Sequence, residues 1–339
     1  MGVLVDFLKL TARVFGYIVL AVLQWVKKPA GKRVRNEVCL VTGTASSTGI
    51  GKLFALAFAR QGATLILWDT DREGNENTAK EVRALGATAY TYVCDVSRRE
   101  AVYSAAELVR KDAGDVTILV NSAGVAAVKP ILECPDEQLE RTMKTNCHAH
   151  FWTVKAFLPH MIGRDHGHIV TVAGSFGLFA TGCLEDYCAS KFAVVGFHEA
   201  LSHQLKAKRI SGVKTTLVCP YFIDAGMFHG CRIRQELETL LFPLRLGHFV
   251  EEAMQGILHN QHMICVPRVI YFAAILKNLL PWDVQVLIQK FLGLDTCLPQ
   301  KAAKFSSKKM KILSFYRNVW SKMFISTDTT KSAALNMQN

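Results

Sequence analysis

From residue 38 to residue 266 the chain alternates between short, continuously apolar runs and longer segments with a single apolar face. The runs at 38–42, 64–68, 88–94, 117–121, 168–172 and 214–219 have strand length and no polar alternation, so both of their faces must be covered. The segments at 52–61, 75–84, 97–112, 136–161 and 185–207 have helical spacing, and a last helix and strand share 251–266. This alternation predicts an α/β fold, a doubly wound parallel sheet of Rossmann-like type with helices on both faces. Ligands of such sheets lie at the carboxyl ends of the strands. No internal repeat is present, so one domain is expected over 36–298. A hydrophobic anchor and basic linker over 1–35 precede it, and a basic tail over 299–339, expected to be disordered, follows it.

The anchor reading rests on residues 14–26, which are apolar apart from Gln24. That run is short for a span of about 20 residues. Extending it back to Val3 brings in Asp6, Lys9 and Arg13, which share one helical face. Two forms follow, a transmembrane helix with a polar stripe or a helix lying in the interface. Of the formal charge of +12, five cations sit at Lys27, Lys28, Lys32, Arg33 and Arg35, and five at Lys301, Lys304, Lys308, Lys309 and Lys311. Both clusters flank apolar segments, so lipid phosphate is the expected anionic partner rather than nucleic acid. The basic linker favours a cytosolic catalytic domain by the positive-inside rule. Residues 264–294 are also apolar and read either as the last packing layer of the domain or as a membrane-facing lid over an apolar substrate. The ten cysteines form no C-x-x-C pair and no zinc spacing, so no metal site and no disulfide framework is expected.

The first strand ends in VTGTASSTGIG. Glycines at a strand-to-helix turn let the backbone approach a pyrophosphate, whose charge the helix amino end favours. Gly43, Ser47, Gly49, Ile50 and Gly51 are the candidate contacts. Asp69 closes the second strand 18 residues after Gly51. A carboxylate there accepts from the adenosine ribose hydroxyls and repels a 2′-phosphate, so NAD is the preferred cofactor. Arg72 close by keeps NADP as the alternative.

The sequence YCASK spans residues 187–191. On a helix Tyr187 and Lys191 share one face. An ammonium beside a phenol favours the phenolate and lowers its pKa from about 10. Such a tyrosine takes a proton from an alcohol as hydride leaves carbon for a nicotinamide.

The glycine turn, Asp69, the CDV of 94–96, the NSAG of 121–124 and YCASK, in this order, resemble the short-chain dehydrogenase/reductase family over about 36–266. The resemblance implies that Asp95 and Val96 contact adenine, and that Asn121, Ala123 and Gly124 flank the cofactor. It further implies that Asn146 holds a water in the proton relay, that Lys191 binds the nicotinamide ribose, and that Pro220 and Ile223 border the nicotinamide. A homodimer is a family expectation. The segments ECPDEQLERTMKTNCHAHFWTVKAFLP, HGHIVTVA, EDYCASKF, KTTLVCPYFIDAGMF and GCRIR are similar to the membrane-bound retinol dehydrogenases of that family. That likeness implies oxidation of all-trans-retinol to retinal at the endoplasmic reticulum membrane. Related members act on steroid alcohols or associate with lipid droplets.

Four positions depart from the family pattern. Five residues, rather than the usual three, separate Gly43 from Gly49. Ser122 stands in the asparagine doublet, and Ala225 follows Asp224 where relatives commonly carry a threonine. The usual catalytic serine, thirteen residues before the tyrosine, is Gly174, with Ser175 as a provisional substitute. These departures raise an alternative, a cofactor- or retinoid-binding homologue with little catalysis. His148, His150 and Trp152 are expected to pack rather than ligate, and His198 and His203 to lie at the surface or an interface. Asp186 has no evident partner.

Overall fold

The apolar runs form one sheet. In the computed structural model, which describes residues 2–26, 31–221 and 246–292, seven parallel strands lie in the order β3-β2-β1-β4-β5-β6-β7. They are β1 Val38–Thr42, β2 Thr64–Asp69, β3 Ala89–Val93, β4 Ile118–Asn121, β5 Gly167–Val172, β6 Val213–Pro220 and β7 Met263–Val266. Successive strand residues face opposite sides, and both sides are dry. Cys39, Val41, Leu65, Leu67, Ile118 and Val120 enter one core, against helices α2 (Ile50–Arg60), α3 (Arg72–Ala84) and α8 (Leu246–Leu258). Leu40, Ile66, Trp68, Leu119 and Ile169 enter the other, against α4 (Arg99–Ala113), α6 (Ala149–Gly163) and α7 (Glu185–Ala207). Each such side chain contributes about 1.5–3 kcal/mol of burial. This is why the strands lack polar alternation. Sequence order reverses between β1 and β4, which pair through Cys39–Ile118, Leu40–Leu119 and Val41–Val120, and that reversal opens the ligand crevice.

Two expected boundaries change. The long helix over 136–161 is broken into α5 (Asp136–Met143), a π-helical turn at Lys144–His148 and α6. The apolar segment near the carboxyl end becomes two helices, α9 (Val269–Leu279) and α10 (Trp282–Leu292). Their apolar faces are mostly uncovered: Phe272 is 65%, Leu279 74% and Trp282 72% exposed.

Residues Gly2–Val26 form α1. Among the described residues no helix is long and apolar enough to cross a membrane, so the transmembrane form of the anchor is unsupported. Asp6, Lys9 and Arg13 interrupt the first half of the helix and leave only a short charge-free stretch. Residues 27–30 of the basic linker and the tail at 299–339 lie outside the described residues.

Candidate active site

The glycine turn is shaped by contacts that exclude side chains. Gly43 has φ +77°, and a Cβ on it would stand 2.8 Å from Ala123 Cα. Its conformation and its neighbour both demand glycine. A Cβ on Gly51 would run into the Gly43 carbonyl and the Ser122 hydroxyl. Thr42 Oγ1 accepts from the Ser122 and Ala123 amides at 3.1 Å each, and Ser122 Oγ donates to the Thr42 carbonyl at 2.7 Å. Ser122 therefore braces β1 against β4 although it replaces an asparagine. Gly49 caps α2 and makes no side-chain cap hydrogen bond; this helix amino end is where a pyrophosphate would bind.

The lengthened turn folds onto α3. Thr44 is buried, and its Oγ1 donates to Asn75 Oδ1 at 2.6 Å while its carbonyl accepts from Thr78 Oγ1 at 2.7 Å. The Ala45 amide donates to Asp69 Oδ2 at 2.9 Å. A Cβ on Gly74 would lie 2.7 Å from the Ala45 carbonyl oxygen, so glycine in the first turn of α3 is what admits the longer loop. Ser47 is exposed on the tip of this turn, and Ile50 is half-buried. Asp95 Oδ1 accepts from the Ser97 amide at 3.0 Å and from its hydroxyl at 2.7 Å, with Val96 buried beside it. Asn121 is buried and its Oδ1 accepts from Thr153 Oγ1 at 2.9 Å. Pro220 ends β6 in the interior. Ile223, with Asp224 and Ala225, lies outside the described residues.

The chemical end of the crevice is formed by α7 and the π turn. Tyr187 and Lys191 are buried on one face of α7. Lys191 Nζ lies 5.4 Å from the Tyr187 ring centre and donates to the Val172 carbonyl at 3.1 Å. Phe176 packs edge-on against Tyr187 with ring centres 6.1 Å apart. Asn146, fully buried in the π turn, is pinned at three points. Its Oδ1 accepts from the Val125 amide at 2.8 Å, and its Nδ2 donates to the Val125 carbonyl at 2.8 Å and to Ser190 Oγ at 3.0 Å. Ser190 Oγ in turn donates to the Tyr187 carbonyl at 2.7 Å. A Cβ on Gly124 would stand 3.4 Å from Asn146 Oδ1 and 3.7 Å from Lys191 Nζ, so β4's end, the π turn and α7 converge on one point. π turns interrupt helices where a functional group needs a different direction. The sequence reading missed Ser190 in this role, although it sits inside YCASK.

Gly174 adopts φ +92°, and a Cβ on it would stand 4.0 Å from Tyr187 Oη and 3.9 Å from the Pro220 carbonyl oxygen. Position 174 thus faces the phenol, with room for a side chain. Ser175 is buried at the start of a 3-10 turn, Ser175–Gly177, whose first carbonyl accepts from the Leu178 and Phe179 amides.

The expected direction of the Tyr187 pKa is reversed in the protein alone. Burial pushes the phenol above its ordinary value, and burial likewise lowers Lys191 to about 8. Attraction between the pair favours both charged forms, but removal of both groups from water disfavours them and is the larger effect here. Two other expectations also change. His198 is fully buried, with Nδ1 3.0 Å from Thr171 Oγ1, whereas His203 is exposed. Asp186 is buried and accepts from Thr142 Oγ1 at 2.7 Å. His150 packs inside as expected, while His148 is exposed. Among the described residues no His, Cys, Asp and Glu group could hold a metal ion.

A glycine turn at the strand reversal, a carboxylate closing β2 and a buried Tyr–Lys pair thus meet at the carboxyl ends of the central strands, an arrangement suited to an oxidoreductase. The family profile for short chain dehydrogenase matches residues 37–236, and the chain belongs to that family. It is 51% identical over 323 residues to a human protein named retinol dehydrogenase 10, covering 88% of this chain and 94% of that one. The Xenopus tropicalis protein of the same name is 50% identical over 323 residues, with the same coverage. Among solved structures, a Burkholderia phymatum short-chain dehydrogenase/reductase in complex with NAD superposes with a TM-score of 0.65 at 25% identity, over 75% of this chain and 96% of that one. An NAD⁺-bound xylitol dehydrogenase superposes with a TM-score of 0.54 at 31% identity, over 57% and 74%.

Proposed function

We propose that this protein oxidises a long apolar alcohol, all-trans-retinol first among them, to its carbonyl with NAD. The observation that carries the reading is the buried Tyr187–Lys191 pair, held against Gly124 and Asn146 at the carboxyl ends of the central strands, in a chain about half identical to retinol dehydrogenase 10. Gly43, Gly49, Ile50 and Gly51 would hold the pyrophosphate, Asp69 the adenosine ribose, Asp95 and Val96 the adenine, and Lys191 the nicotinamide ribose. The bound dinucleotide supplies the hydride acceptor. Tyr187 Oη takes the hydroxyl proton of the alcohol as the carbinol C–H bond breaks and the C=O bond forms. Lys191 favours the phenolate, and Asn146 orders the path by which the proton leaves. Asp69 favours NAD over NADP by its charge.

Steroid alcohols are the competing substrate class, since an apolar site alone does not choose between two greasy alcohols. The uncovered faces of α9 and α10 and the exposed apolar residues of α1 suit association with lipid, from which such substrates partition. This favours an interfacial anchor, at the endoplasmic reticulum membrane or a lipid droplet; the cytosolic side for the catalytic domain follows from the basic linker by the positive-inside rule, and a homodimer is the family expectation. Gly174 favours a second reading, a cofactor- or retinoid-binding homologue with slow chemistry, because the substrate oxygen receives no side-chain hydroxyl from that position. Product analysis of membranes containing the full chain, supplied with retinol or steroid alcohols and NAD or NADP, separates these readings. Retinal formed with NAD supports the first, and binding of NAD without turnover of any alcohol supports the second.

A further inference from the structure

The hairpin of α9 and α10 is turned inside out. In α9, Ile270, Ala273, Ala274 and Lys277 share the less exposed face, at helical spacing, while Phe272, Ile275 and Leu279 face away. In α10, Gln285, Val286 and Gln289 lie inward, while Leu287, Ile288 and Phe291 are exposed. A surface helix ordinarily buries its apolar stripe and shows its polar one. Here Ile270 is the one deeply buried apolar side chain of the two helices, so polar groups do much of the holding.

Each inward polar side chain donates to a backbone carbonyl. Gln285 Nε2 bonds the Lys277 and Leu280 carbonyls at 2.9 Å each and closes the turn between the helices. Lys277 Nζ bonds the Leu178 carbonyl at 3.0 Å and lies 4.9 Å from the centre of the Phe192 ring, one residue past Lys191 on α7. Gln289 Nε2 bonds the Ala180 carbonyl at 2.7 Å. Leu178 and Ala180 both belong to the loop that joins β5 to α7.

That loop is one wall of the chemical site. It starts at Gly174, which faces Tyr187 Oη, and carries Phe176, which packs edge-on against the Tyr187 ring. At Gly177 it presses on α7: a Cβ there would stand 2.9 Å from the Lys191 carbonyl oxygen and 2.8 Å from Val195 Cγ2. The Ser175 carbonyl accepts from the Leu178 and Phe179 amides, so the bond made by Lys277 falls on the end of the turn that begins beside Tyr187. Leu178 and Phe179 pack with Ile270 of α9 in the same apolar cluster.

We infer that Lys277 and Gln289 are positioning residues for the substrate alcohol: through the Leu178 and Ala180 carbonyls they hold the loop bearing Gly174 and Phe176 against Tyr187. The inference rests on the dehydrogenase reading above. Lys277 and Gln289 act through the loop and not on the reacting atoms. A charged donor on a carbonyl is among the stronger hydrogen bonds, and more so where apolar surroundings thin the competing water. The held loop gives a long apolar alcohol a fixed wall; a released loop gives it a variable one. The cofactor residues lie across the crevice, on β1, β2 and β4, and do not depend on the latch.

The test uses the full chain in phospholipid vesicles with NAD and retinol. Lys277→Met keeps an apolar stem beside Phe192 and loses the donor. The KM for retinol is expected to rise roughly tenfold, with kcat changed less than about threefold and the KM for NAD within about twofold. Amide exchange of the 174–184 peptide is expected to quicken while that of the strands stays as in the wild type. Lys277→Arg, which keeps a donor, restores both readings. A folded Lys277→Met protein in which either the KM for retinol or the loop exchange stays at the wild-type value overturns the inference. Should that variant not fold, Gln289→Glu, which keeps the shape but no longer donates, is held to the same two readings. A wild type that turns over no alcohol removes the dehydrogenase reading instead. The latch then rests on retinol affinity measured by fluorescence: weaker binding in the variants supports it, and equal binding overturns it.

Discussion

Gly174 presents its missing side chain to the Tyr187 hydroxyl, with the position of a Cβ only 4.0 Å from Oη. Gly174→Ser therefore places a hydroxyl beside the reacting oxygens. Removal of comparable donors costs about 2.7–4 kcal/mol elsewhere, so kcat for alcohol oxidation is expected to rise at least about tenfold. The φ of +92° opposes any side chain, and stability should fall by about 1–2 kcal/mol. Gly174→Ala is the control, with the same loss of stability and no gain in rate. Steady-state kinetics and urea unfolding of both variants check the pair of outcomes. Equal rates for Ser and Ala would mean that the site obtains its donor elsewhere.

Tyr187→Phe removes the only atom assigned to take the proton and leaves the ring that packs on Phe176. Oxidation should fall by about 10²-fold or more. NAD affinity, measured by fluorescence titration, should stay within about twofold, since the cofactor contacts lie elsewhere. Retained turnover would assign the base to another group.

Much of this site is legible in the chain itself, and what is not has identifiable causes. Buried parallel strands carry apolar residues on both faces, so β1, β2, β4 and β5 stand out as unbroken runs. Tyr187 and Lys191 are legible because four residues on a helix make one face. The π turn around Asn146 is invisible, since an extra residue in a helical turn leaves the apolar spacing of α5 and α6 nearly intact. His198 looks like a surface residue because its partners, Thr171 and His262, come from distant strands. The rise of the phenol pKa is hidden for a different reason: it is set by burial, which only the packed structure reveals.

The lengthened glycine turn needs the absence of a side chain at Gly74. A Cβ there meets the Ala45 carbonyl oxygen at 2.7 Å and Asp71 Oδ2 at 2.6 Å. Gly74→Val should push Ala45 off Asp69 and destabilise the domain by about 1–3 kcal/mol. The KM for NAD should rise more than the KM for the alcohol. A thermal unfolding scan with and without NAD, alongside kinetics, checks both parts. Unchanged cofactor affinity in a folded variant would show that the turn is passive in binding.

Lys32 ties the linker to the domain through a 2.6 Å contact with His168 Nδ1. Burial lowers its pKa from 10.5 to about 8. Between those values the unfolded chain holds a proton that the folded protein has released, so this group makes stability rise with pH across that window. Below about pH 8 both states are protonated and its contribution is flat. Lys32→Met should abolish that rise. Urea unfolding of wild type and variant at several pH values measures the difference in slope, and parallel curves would mean that Lys32 titrates normally in the folded protein.

The hairpin of α9 and α10 offers Phe272, Leu279 and Trp282 to the outside at 65%, 74% and 72% exposure. Replacing exposed side chains changes stability by no more than about 0.5 kcal/mol each. Phe272→Glu combined with Leu279→Glu should therefore leave the unfolding midpoint nearly unchanged while weakening attachment to lipid. The loss comprises two apolar contacts and two added charges that anionic headgroups repel. Flotation of the full chain with vesicles of anionic phospholipid is the measurement. Activity toward a water-soluble alcohol should persist in the double variant, whereas turnover of vesicle-borne retinol should drop. If both activities and flotation match the wild type, the exposed hairpin does not serve as the lipid-facing entrance.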